Sequence, residues 1–138
     1  MSESNKAAMR QFFEEVYNRG NSDFVDKLSK PEFVSHDRGN PSHDREGIKV
    51  IVSAIRSAFP GVHFTVDDVL ADADKVVARF TMTGTHTGDF MGIPATNKAI
   101  VVTGIDIVRF AEDGKAVEHW HEWSGMELLQ QLGVLPSA

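Results

Sequence analysis

The hydrophobic pattern changes period once, at Pro60-Gly61, and that change bounds what the chain can fold into. Before it, apolar residues recur every three or four positions, the spacing of a helix with one buried face. After it they alternate or run together in stretches rich in Val, Ile, Thr and Phe, as in strands. Helices first and long strands second is an α+β order: neither layer can bury its apolar side alone, so the helices must cover one face of an antiparallel sheet.

The helical half divides at its breakers. Ala8, Phe12, Phe13, Val16 and Tyr17 give one apolar face to a helix from Ser4 to Arg19, closed by Gly20. A short second helix carries Phe24, Val25 and Leu28 and must end before Pro31. Residues 33–37 read as a brief strand, and the polar stretch Arg38 to Asp44 as a surface loop. Ile48, Ile51, Val52, Ile55 and Phe59 then mark a third helix.

Strands are expected over 62–71, 75–86, 98–111 and 115–123, with an acidic hairpin turn at Glu112-Asp113-Gly114 and a last short helix over 127–132. On the last strand Val117, His119, His121 and Trp123 share one face, and Glu118, Trp120 and Glu122 the other. Each long strand carries apolar residues on both faces, whereas a sheet wet on one side shows cleaner alternation. The expectation is a homodimer through the outer face, with Trp120 as an anchor and Arg79, Asp106, Glu118 and Glu122 among the outward charges.

With 138 residues the chain makes one domain, 1–138. A net charge of -6 without a basic run argues against nucleic-acid and membrane-surface partners. There is no cysteine, which excludes disulfides, thiolate metal sites and a Cys nucleophile. A polar N-terminus and the lack of a long apolar run point to a cytoplasmic protein without a signal peptide or membrane span. No phosphate-binding loop, nucleophile elbow or glycosidase-like carboxylate pair is present.

Arg79 to Gly88, Phe90-Met-Gly-Ile-Pro94, Gly104-Ile-Asp-Ile-Val-Arg-Phe110, Asp113-Gly-Lys115, Glu118-His-Trp120 and Leu128 to Gly133 together resemble the SnoaL-like polyketide cyclase family. That family belongs to the nuclear-transport-factor-2-like, cystatin-like cones, and the resemblance runs from the first helix to Gly133. It implies a pocket between helices and concave sheet, and ring closure by aldol condensation without metal or organic cofactor. It also implies an acid/base aspartate two positions after the histidine of Glu118-His-Trp120, and a second catalytic histidine on the preceding strand. Here those positions read His121 and Ile107.

The candidate catalytic residues are therefore His121 and His119, which lie roughly 6 to 7 Å apart along the strand. The candidate pocket residues are His36 at the mouth, Ile107, Trp123, and Phe90 and Met91 on a flap from Gly88 to Thr96. Two same-face histidines suit acid/base work near neutral pH, a metal, or plain hydrogen bonding in the pocket wall. The expected ligand is a small hydrophobic carbonyl compound handled without a cofactor. The alternatives are a binding module that has lost the chemistry and a His-ligated metal site.

Overall fold

A computed structural model describes residues 2–136. The antiparallel half is a meander: β2 (His63–Asp72), β3 (Lys75–Thr85), β4 (Ala99–Phe110) and β5 (Ala116–Trp123) pair in succession. The strand expected over 33–37 runs instead over Ser29–Ser35, as β1, and joins the sheet parallel to β5 to give the order β1-β5-β4-β3-β2. Pro31 thus lies in an edge strand, where a missing N–H is tolerated.

The helices pack on one face. α1 (Ser2–Phe12) continues as a π-helical segment, Phe13–Asn18, marked by the bond from Arg19 N–H to Glu14 O. α2 (Asp23–Leu28) and α3 (Arg45–Ala58) follow, and α4 (Gly125–Gln131) closes the chain. Asp44 caps α3 by accepting the Gly47 N–H at 3.0 Å. A Cβ on Gly47 would stand 1.9 Å from the Ser42 carbonyl oxygen, so only glycine lets the preceding loop close over the helix start.

The core lies between helices and sheet. Met9, Phe13 and Val16 meet Ile48, Val52 and Ile55 from α3 and the inward row Phe64, Phe80, Met82, Val102 and Val108. On the opposite sheet face Val101 and Ile105 are exposed. Among the described residues no helix is long and apolar enough to cross a membrane.

Candidate functional site

β5 sends His119 and His121 to the helix-covered side of the sheet, and the residue they meet there is Asp106 on β4. The reason is register. Phe110 pairs with Ala116, but Arg109 pairs with Glu118, so Val117 is an extra residue in β5 and forms a bulge. Beyond it Val108 stands opposite His119, Asp106 opposite His121 and Gly104 opposite Trp123. A shift of one residue exchanges the two faces of a strand. Asp106 therefore points inward, not out with the surface charges, and Ile107 pairs with Trp120 on the outer face instead of lining the pocket.

The Asp106 carboxylate bridges the histidines. Its Oδ1 is hydrogen-bonded to His121 Nδ1 and its Oδ2 to His119 Nε2 at 3.3 Å. His119 Nδ1 reaches the Ser35 hydroxyl at 3.0 Å. The Asp106 and His119 side chains are 1% and 2% exposed, while His121 keeps 12%. Burial alone would raise the Asp106 carboxyl, but the charge of His121 and the bonds from both imidazoles hold it far below the usual carboxylate range. Burial likewise works against a charged His121, and the Asp106 charge outweighs it, so the imidazole sits above its ordinary value.

His121 faces a cavity of about 80 Å3 lined by Tyr17, Asp37, Gly39, Ile51, Ile55, Phe64, Phe90, Met91 and Trp123. Tyr17 comes from the π-helical segment, a form of helix frequent at functional sites. Its ring packs against Phe64, with centroids 4.6 Å apart. Burial, then the Asp106 and Asp37 charges, push the phenol well above its ordinary value, so it stays a neutral donor. Phe80 stacks on the His121 ring at 5.7 Å and fixes its plane. The Phe80 ring lies over Gly104, where a Cβ would come within 2.4 Å of it.

The structure brings His121, Trp123, Phe90 and Met91 to one cavity and sets His119 behind them. The flap turns back at the Phe90 to Ile93 bridge, and Phe90 meets Trp123 edge-on at 6.2 Å. His86 braces its base, accepting the Thr96 N–H at Nδ1. His36 is not at the cavity mouth: it lies exposed on the outer face, stacked on Trp120 at 5.1 Å and bonded to Glu118 at 2.7 Å. Successive strand residues alternate faces, so Ser35 points in and His36 out, and Asp37 in the loop beyond takes the cavity position.

Sequence reasoning missed Asp106, Tyr17, Asp37 and Ser35 as site residues. Asp106 carried a signal, a lone carboxylate inside the apolar run Ile105-Asp-Ile-Val. Tyr17 carried none, since it shares the apolar spacing of its helix.

The sequence profile of the SnoaL-like polyketide cyclases matches residues 7–132. The chain belongs to the SnoaL-like polyketide cyclase family. Its relatives of known structure share the cone fold. AclR of Streptomyces galilaeus, described as a candidate hydroxylase, is 30% identical with a TM-score of 0.87, covering 100% of this chain and 85% of that one. TsrD of Streptomyces laurentii is 31% identical at 0.86 over 98% of each chain. A candidate polyketide cyclase of Acidithiobacillus ferrooxidans is 33% identical at 0.83 over 96% of each. No curated protein matches this SnoaL-like sequence.

Proposed function

We propose that this SnoaL-like protein carries out proton-transfer chemistry on a small hydrophobic carbonyl compound, with His121 as the base and acid. The observation that carries the reading is the Asp106–His121 pair at the wall of an otherwise largely apolar cavity. Asp106 engages Nδ1 and leaves Nε2 for a ligand, and the buried carboxylate makes that nitrogen more basic. The acid/base pair implied by the resemblance is retained with its members exchanged between strands: the imidazole is on β5 and the carboxylate on β4.

In the proposed step the C–H bond next to a carbonyl breaks. Its proton passes to His121 Nε2, and its electron pair moves onto the carbonyl oxygen as an enolate. The neutral Tyr17 hydroxyl donates to that oxygen, the stabilisation such sites use. The enolate carbon then attacks a second carbonyl carbon and His121 returns the proton to the new alkoxide, an aldol closure. Alternatively the proton returns to a different carbon, an isomerisation. The cavity of about 80 Å3 is about half the engineered cavity of about 150 Å3 that binds benzene, so a ligand of that size or larger enters with the Phe90 flap moved.

The test is deuterium exchange at the α-carbon of small β-ketoesters in heavy water. His121→Gln is expected to slow exchange by about 10²-fold or more. Exchange no faster than in buffer, with ligand affinity kept, would instead mark a binding module. One observation favours a metal reading: Asp106, His119 and His121 offer donor atoms within 4.8 Å of one another. Stoichiometric zinc after gentle purification would support it, and activity that survives chelation would end it.

A further inference from the structure

The Ser35 hydroxyl is buried at the end of β1 and has three neighbours within hydrogen-bond reach. Asp37 backbone N and Asn40 Nδ2 each lie 3.3 Å away, and His119 Nδ1 lies 3.0 Å away. The first two carry protons only, so both must donate to the Ser35 oxygen. A hydroxyl accepts two bonds and gives one. The proton of Ser35 is then left for His119 Nδ1, which must be bare, and the ring proton of His119 must sit on Nε2, against Asp106 Oδ2.

We propose that Ser35, held by Asn40 and the Asp37 N–H, is a positioning residue of this site. By donating to Nδ1 it keeps that nitrogen bare, while the Asp106 carboxylate holds the ring proton on Nε2, so His119 is the neutral Nε2–H tautomer. The carboxylate then receives one imidazole on each oxygen, and its charge is not claimed by a second cation. Asp106 is left to orient His121 Nδ1–H, so that Nε2 of His121 faces the ligand. The inference rests on the acid/base reading for its functional meaning, whereas the tautomer follows from the donor count with the Asn40 amide nitrogen turned toward Ser35 and its oxygen left without a partner among the described residues.

The test is ring-resolved nitrogen NMR of the histidines in the full chain near neutral pH. The expected result is a protonated Nε2 and a bare Nδ1 on His119. Ser35→Ala is expected to leave the ring proton on Nε2, which the Asp106 carboxylate requires, and to move the resonance of the bare Nδ1 by removing its donor, and Ser35→Thr, which keeps the hydroxyl, to restore it. His86, whose Nδ1 accepts from Thr96 N–H at 3.2 Å, reports whether a variant has kept its fold. A protonated Nδ1 on His119 in the unaltered protein would overturn the proposal. This is the state that would follow if the Asn40 amide were turned over, with its oxygen against Ser35. Unchanged His119 shifts in a folded Ser35→Ala variant would also overturn it. Should that variant not fold, the unaltered protein and Ser35→Thr still decide. Failure of the deuterium exchange alone would remove the acid/base reading and leave the tautomer standing.

Discussion

Asp106 and His121 shift in opposite directions on folding, and each shift makes stability depend on pH with its own sign. The Asp106 carboxyl is depressed in the folded state, so its contribution is present above the unfolded value of about 3.9 and is lost as pH falls below it. The His121 imidazole is raised, so its contribution is full below about 6.5 and is lost as pH rises through the folded value. The pair therefore contributes most between roughly pH 4 and 6.5. Urea midpoints measured across pH should show this maximum, and Asp106→Asn should flatten it while costing about 2 kcal/mol for the polar groups left unpaired. If His121 acts as a base, exchange should instead increase as pH rises, with a midpoint above about 6.5. Maximum stability and maximum rate are thus expected at different pH values.

Among the elements, β4 and β5 hold the site, and they show what a sequence can and cannot disclose. The helices, the four long strands and the inward placing of His119, His121 and Trp123 follow from spacing, because a side chain's face is set by its position along its own strand. Which β4 residues share that face is set by pairing between strands, and Val117 adds its extra residue without any mark in the sequence. Without the bulge Ile107 would stand beside His119, the arrangement that the hairpin turn alone predicts. Gly104 was visible as a glycine inside a strand, a sign of close approach. What approaches is Phe80, the ring that supports His121. Gly104→Ala should cost about 1 to 3 kcal/mol in urea unfolding, because the new methyl meets both Phe80 and the Glu122 carbonyl oxygen. Its effect on exchange should exceed that of an equally destabilising change elsewhere in the core.

At the scale of the whole molecule, the outer sheet face carries an apolar row. Val101 and Ile105 are exposed there, with Ile107 and Trp120 partly covered beside them. We propose a second copy as the cover, since a two-fold pairing lets one apolar row meet itself. The charges of this face are partly paired within the chain, Glu118 with Arg109 and His36, and Arg79 with Asp67. The apolar row would then supply the association and the ion pairs its rim. Sedimentation is expected to show a dimer, and Ile105→Glu a monomer with an unchanged melting temperature at low concentration. A monomeric unaltered protein would remove the idea. The bulge at Val117 has a consequence for descent. Pairing the same residues without the bulge would set Ile107 opposite His119 and turn Asp106 to the other side of the sheet from both imidazoles, so a protein could lose this chemistry with every functional residue still spelled out. Residue-by-residue comparison would then count an intact site where none exists.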